Sequence, residues 1–495
     1  MSPAATATFR RRADNVILRW QARLDSEWSD RVLPWLFAAG LFVILELLSF
    51  AKARSLDGTV DLASYTQGAW LIHNGHEPIL TIASGSNVLA YQAAFVFFPL
   101  AWLTFLVPVQ TLLLLAQSAA LAVAVVPIWR IARGLASLRV GAAIVLAVVY
   151  ALYPTMHNLN LAGFYPETIA LPLLLYAAYF GLSSHWRRFL FCCVLVVLCR
   201  ADFGLVVAGL GALVWVEGRK AEGRVALVGG ILYTTFAVLV IQPHFGDGTY
   251  AHLSAFHEFG ASPGSALWGM LVHPADVVGA LVREQNFNLL VTLFAPVAFL
   301  PLLAPRYLLP VVPLELFFLV SDSPTSALYG QLTIAITAAV FLATAFAMKR
   351  VGRMGVEKII VDRRVLAVML LASTIFFIRD AASSPYRQPW SWGGQDQVDA
   401  ARIAAGEHIG PDRSVRASAS VLTVVAQRVR VFELRPTDRP DAAGAGDGVD
   451  AVILDERSVS SWTAVDRQIF TEGMSSLGFV LVSSTQGIDV YLRRP

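Results

Sequence analysis

Charge is scarce in this chain. Of its 495 residues only 15% are Asp, Glu, Lys or Arg and 56% are hydrophobic, which with a mean hydropathy of +0.60 excludes an ordinary soluble globule. Lys+Arg and Asp+Glu, 38 and 35, almost cancel, so no global basic field points to nucleic acid. Cysteine is rarer still. Cys192, Cys193 and Cys199 all fall in one apolar segment, where thiols read as small buried hydrophobes and not as a disulfide framework or a zinc set. No Gly-rich phosphate loop stands at a strand-to-helix junction, so no nucleotide donor site is expected. His244, His252, His257 and Glu258, with Asp247, crowd one loop, but their spacing matches no compact metal motif, and they read as surface. The chain has no internal repeat.

Long apolar runs are plentiful. Leu33 to Phe50, interrupted by Glu46, is close to the roughly 20 residues that span hydrocarbon. Further runs follow at 90–106, 109–129, 140–156, 166–182, 189–199, 203–216, 225–242, 287–304, 307–320, 329–348 and 364–380. Basic loops decide which of them cross. If 90–106 crossed, Arg130, Arg133 and Arg139, then Arg187 and Arg188, Arg219 to Arg224 and Lys349 to Arg364 would all face outward. Kept as a surface or re-entrant helix on the outer face, it returns all of these loops to the inside. The expected architecture is therefore α-helical and polytopic, with about eleven crossings plus outer-face surface helices. It divides into a cytosolic basic arm at 1–32 (Arg10, Arg11, Arg12, Arg19, Arg23, Arg31), a transmembrane domain at 33–380 with outer loops at 51–108 and 243–286, and an outer domain at 381–495.

The basic arm precedes a run with no small-residue cleavage site, so that run reads as a retained helix. Past residue 380 the composition turns polar. Ser414 to Ala417, Arg430 to Glu433 and Ala451 to Leu454 read as strands, 464–474 as a helix, and 479–492 as a hairpin turning at Gln486-Gly487, together a small α/β domain. Pro440 to Gly448 reads as a flexible surface loop.

The polar residues gather at one boundary. Asp61, Tyr65 and Gln67 precede Trp70, a residue type that settles at headgroup level. Arg200-Ala201-Asp202 breaks two short apolar runs, as is tolerated where backbone lines a cavity or is covered by protein. His157, Asn158, Asn160, Tyr165 and Glu167 belong to the same side. Glu46 is costly in lipid and is expected to face the bundle interior.

The pattern Asp61-Leu62, Gln67, Trp70, Gly75 resembles the bacterial membrane family called domain of unknown function 2079. Gln117, Pro127 and Arg130-Ile-Ala-Arg133, the Phe164-Tyr165-Pro166-Glu167 element and the Phe299 to Pro305 stretch agree with it. The chain carries Tyr165 where that family has F-H-P-E, and Asn87 and Val88 where it has a His, which counts against a metal or His-base mechanism. The layout is also similar to the GT-C-fold integral-membrane glycosyltransferases, which use polyprenyl-phosphate sugars. This resemblance implies a bacterial cytoplasmic (inner) membrane location, membrane lipids and a polyprenyl-phosphate sugar as partners, and a possible protein partner for 381–495.

Glycosyl transfer at that boundary would need a carboxylate base, partly desolvated to raise its pKa, and Asp61 is the candidate. The leaving phosphate would need a cation. Arg200 is first choice and Arg283 second. Glu167 would position the acceptor or share a divalent cation with Asp61, the only cofactor left open. Tyr65, Gln67 and Trp70 would form a sugar platform, with Glu46, His157, Asn160, Tyr165 and Asp202 lining the substrate site. Plainer readings exist for each: Asp61 as an N-cap, Arg200 and Asp202 as a structural pair, Glu167 as a helix-start carboxylate. A non-enzymatic accessory subunit or a lipid transporter is the alternative function.

Overall fold

The computed structural model describes residues 25–56, 59–83, 85–246, 256, 258–321, 330–355, 357–435, 437 and 440–494. Most of the basic arm, and Asp247, His252 and His257, lie outside the described residues. Among these residues five helices are long and apolar enough to cross a membrane: Glu27–Arg54, Val109–Leu135, Lys220–Phe245, Gln331–Val351 and Arg363–Ser391. Val140–Ala151 and Pro154–Leu161, bent by 40°, make a sixth if they count as one span. The protein is a multi-pass membrane protein.

Helix length alone supports five or six of the eleven expected crossings. The runs at 189–199, 287–304 and 307–320 yield the helices Trp186–Val197, Glu284–Phe294 and Val312–Val320, of 12, 11 and 9 residues, well under the roughly 20 a span needs. Apolar character reports burial in protein as readily as contact with lipid. Gln331–Val351 is 83% buried inside the bundle and Arg363–Ser391 only 17%, at the same mean hydropathy of 1.9.

Small residues and one buried arginine paired with two aspartates tie the bundle together. Phe203–Val216 and Lys220–Phe236 pack backbone to backbone, because a Cβ on Gly230 would sit 2.3 Å from Gly204 O and one on Gly211 2.4 Å from Leu227 N. Arg133, read from sequence as a basic loop residue, is 5% exposed and bonds Asp25 at 2.6 Å and Asp30 at 2.7 Å. It fastens the start of the first helix to Val109–Leu135.

The run at 90–106 breaks into Val88–Tyr91 and Phe97–Trp102, of 4 and 6 residues, neither able to span. Its backbone is stitched to the Arg200 break: Val96 N donates to Leu198 O at 3.1 Å and Ala201 N to Gln92 O at 3.0 Å. Trp102, Phe105 and Leu106 remain exposed.

The C-terminal domain holds five strands, β1 (Val415–Ser418), β2 (Val431–Leu434), β3 (Ala451–Asp455), β4 (Phe479–Thr485) and β5 (Ile488–Arg493), in the order β2-β1-β3-β5-β4. β1 runs parallel to β2 and β3, while β5 is antiparallel to β3 and β4. Gln486 and Gly487, with φ of 53° and 77°, form the left-handed two-residue turn that a tight hairpin needs. Two elements escaped the sequence reading: a helix at Gln397–Ile409 and a short one at Ala419–Val425. The stretch read as a loop at 440–448 contains a turn of helix, Ala442–Gly446, with Ala445 and Gly446 buried.

Candidate active site

Asp61 stands in the first turn of Val60–His73, but Thr59 caps that helix, its hydroxyl accepting from Leu62 N at 3.2 Å. The Asp61 carboxylate is thereby left for tertiary contacts. Its Oδ2 accepts the Tyr165 hydroxyl at 2.7 Å, and the side chain is half-buried. The turn that brings Tyr165 there passes through Gly163 at φ 121°, where an added Cβ would lie 2.6 Å from Thr59 Oγ1. Only glycine fits that approach. Burial raises the Asp61 pKa above the ordinary carboxylate value, and the Tyr165 hydrogen bond partly opposes this.

Glu167, two residues beyond Tyr165, is fully buried and lies 3.5 Å from Arg200 Nη1. Arg200 Nε bonds Asp202 at 2.9 Å, and its guanidinium lies 5.4 Å from the centre of the Phe318 ring. The charges of Asp61 and Glu167 both reach the hydroxyls of Tyr65, Tyr91 and Tyr165. Tyr65 donates to Gln92 Oε1 at 2.7 Å. The structure thus gathers Asp61, Tyr65, Tyr165, Glu167, Arg200 and Asp202 where the Val60–His73 helix, the Pro166 helix start and the Arg200 break meet. Among the described residues no three His, Cys, Asp or Glu side chains are grouped to hold a metal ion.

The family model described as a predicted membrane protein, DUF2079, matches residues 52–488. The chain belongs to this family. No curated protein matches it. Its fold is similar to that of ArnT from Cupriavidus metallidurans bound to undecaprenyl phosphate, with TM-score 0.52 and 10% identity over 92% of this chain and 99% of that one. ArnT in the apo state gives 0.51. The archaeal oligosaccharyltransferase AglB from Archaeoglobus fulgidus, in complex with an inhibitory peptide and a dolichol-phosphate, gives 0.41 at 14% identity, over 92% of this chain and 74% of that one. At such identities the likeness is one of fold. This DUF2079 chain has an architecture similar to the GT-C-fold membrane glycosyltransferases.

Other expected site residues take different places. Gln67 is fully buried and points to the C-terminal domain, its Nε2 within 2.7 Å of Thr81 Oγ1 and 3.3 Å of Val429 O. Trp70 stacks on His76, with ring centroids 6.2 Å apart. The sugar platform of Tyr65, Gln67 and Trp70 therefore does not form: Tyr65 is two residues from Gln67 and five from Trp70, spacings that do not share a helix face, and Gln67 is taken up by Thr81 and Val429. His157 is a peg. Its Nε2 donates to Ala151 O at 2.7 Å, so Nδ1 accepts from Ser383 at 2.7 Å. Asn160 donates to Leu45 O at 2.9 Å and accepts from Ser118 at 3.0 Å, beside buried Glu46. Arg283 pairs with Glu258 at 3.7 Å.

The sequence reading missed Tyr91, Gln92 and Glu315. Glu315 lies within electrostatic range of Arg200 and Asp202. It carried the same signal as Glu46, a carboxylate inside an apolar run.

Proposed function

We propose that the protein is a GT-C-like transferase that moves a sugar from a polyprenyl-phosphate donor to a cell-envelope acceptor at the outer membrane face. One observation carries the reading: Asp61, 106 residues before Glu167 and 139 before Arg200 in the sequence, joins them around the Tyr91 hydroxyl, with Glu167 3.5 Å from Arg200. In the proposed step the acceptor oxygen bonds to the anomeric carbon as the bond from that carbon to the phosphate oxygen breaks. The acceptor proton passes to Asp61, and polyprenyl phosphate leaves with the electron pair, its charge met by Arg200. Glu167 and Asp202 hold Arg200 in place. The donor class is suggested by the undecaprenyl phosphate bound in the ArnT structure.

The reading includes a topology. The basic arm lies in the cytosol of a bacterium, the span lies in the inner membrane, and 381–495 lies outside, where a protein partner could reach it. Eleven crossings then require the shorter apolar helices to cross in tandem. Membrane vesicles containing Asp61→Asn at normal expression should transfer no labelled sugar from polyprenyl-phosphate donors; unchanged transfer rejects Asp61 as the base. A second reading, an accessory subunit or a lipid transporter without chemistry, is favoured by the two carboxylates that already neutralise Arg200. It holds if wild-type protein transfers nothing from any such donor.

A further inference from the structure

The C-terminal sheet is covered unevenly. On one face β1, β3 and β5 bury Val415, Ala417, Ile453 and Val490 under the two helices at 397–425. On the other face the helix Ala464–Ser476 covers β3 and the hairpin with Phe470 and Met474, packing against Val452, Leu454 and Tyr491. That helix stops short of the edge. Over β1 and β2 the same face opens into a cavity of about 470 Å3, lined by Arg416, Phe432, Arg435, Asp441 and Trp462 and bounded on one side by Thr81, Ile82 and Ala83. A cavity of this size falls within the range of small-molecule binding pockets, which combine aromatic walls with a few placed polar groups.

The charges in the cavity are not equivalent. Glu433 pairs with Arg435 at 3.5 Å, and Asp441 accepts the Gly444 N–H at 2.8 Å while its charge, with that of Asp447, also acts on Arg416 from a distance. Arg416 has no ion-pair partner among the described residues. Its Nη2 donates to Asp447 O at 3.0 Å, its Nε finds no acceptor, and its guanidinium lies 5.1 Å from the centre of the Phe432 ring. The side chain is half-buried, with Nε shielded from water and lacking an acceptor, so an incoming anion would supply the acceptor this donor lacks. The Trp462 indole is anchored by its own N–H to Thr437 O at 2.7 Å, which leaves its ring as an apolar wall.

We infer that this cavity is a binding site for an acidic saccharide, a sugar whose carboxylate or phosphate meets Arg416 while its ring lies against Phe432 and Trp462. A guanidinium binds either anion through paired N–H donors, and aromatic walls suit a sugar's apolar face. The site is distinct from the Asp61 group, although one seam joins them: Thr81 Oγ1 donates to Val431 O at 2.6 Å and accepts from Gln67.

Isothermal titration calorimetry on the full chain in nanodiscs tests this with glucuronic acid, glucose 6-phosphate and glucose. One or both acids should bind, and which of them does identifies the anion; glucose should bind at least about tenfold more weakly. Arg416→Gln should lose that preference by a similar factor, and Arg435→Gln should keep it. If Arg416→Gln does not fold, Phe432→Leu, which leaves every charge in place, should weaken the preferred acid. Equal binding of glucose, unchanged binding by a folded Arg416→Gln or, where that variant does not fold, by Phe432→Leu, or no binding of either acid up to about 10 mM overturns the assignment. Asp61→Asn should bind as wild type does, so this result stands or falls apart from the transfer reading.

Discussion

A carboxylate is useful as a base at neutral pH when its surroundings resist its charge, and Asp61 meets that condition through burial, with Tyr165 as the moderating partner. The pH dependence follows. Transfer should fall as pH drops through a pKa above the ordinary aspartate range, and Tyr165→Phe, by removing a hydrogen bond to the charged form, should move that acid limb to still higher pH. A rate profile for both proteins checks the direction, and a limb shifted downward rejects it. The same raised pKa means the folded state holds this proton more tightly than the unfolded chain, so Asp61's contribution to stability declines as pH rises through it. Asp455 behaves oppositely. Burial would raise its pKa, but hydrogen bonds from Arg402, Ser420 and the Arg457 N–H outweigh that and lower it. Its contribution is present above the ordinary aspartate value and disappears as pH falls through the lowered one. Asp455 is 1% exposed and bonds Arg402 at 2.8 Å, and Arg402 also pairs with Asp399 at 3.0 Å, so Asp455→Asn should cost about 1–3 kcal/mol by weakening the hydrogen bonds it accepts while Arg402 keeps one carboxylate. Thermal unfolding of the full chain at neutral pH measures it.

Between elements, close backbone approach does what side-chain pattern alone does not announce. The pair of helices at 203–216 and 220–236 depends on glycines facing one another, and the helical hydropathy of either segment reads the same with or without them. Gly230→Ala should drive the helices apart and lower the thermal transition markedly, whereas Gly229→Ala, whose added Cβ meets nothing within 4 Å, should be tolerated. Equal melting of the two variants removes the packing argument. The Arg200 break was legible because charged residues interrupt apolar runs. What plugs it, the Gln92 and Val96 backbone, was not, since strand-like hydrogen bonds between distant loops leave no trace in local composition. Gln67 illustrates the reverse error. Its neighbourhood in the sequence suggested a sugar contact, but it stands on the face of its helix that meets Arg428 and Val429.

For the molecule as a whole, the placement of the segment from Asn87 to Pro108 decides which side every later loop faces. Its two short helices, too brief to cross, and the exposed Trp102, Phe105 and Leu106 suit an element lying at an interface. A single cysteine introduced as Pro108→Cys should react with a membrane-impermeant maleimide from outside intact cells. Labelling only after the cytosolic face is opened inverts the topology and removes the proposed chemistry from the outer side.

Composition alone determined that this is a multi-pass membrane protein with a polar α/β domain at its end, because hydropathy and charge are sums over residues and need no coordinates. Sequence also marked Asp61, Glu167 and Arg200, since an ionisable group near hydrocarbon is conspicuous wherever it falls. The tertiary structure decided which of the marked residues share a site: it set Tyr165 against Asp61, turned Gln67 and His157 to structural contacts, and placed Arg416 in a cavity of the C-terminal sheet domain where an arginine is unremarkable in sequence. Proximity between residues hundreds of positions apart depends on how helices cross and where glycines let them touch, and no local pattern encodes it.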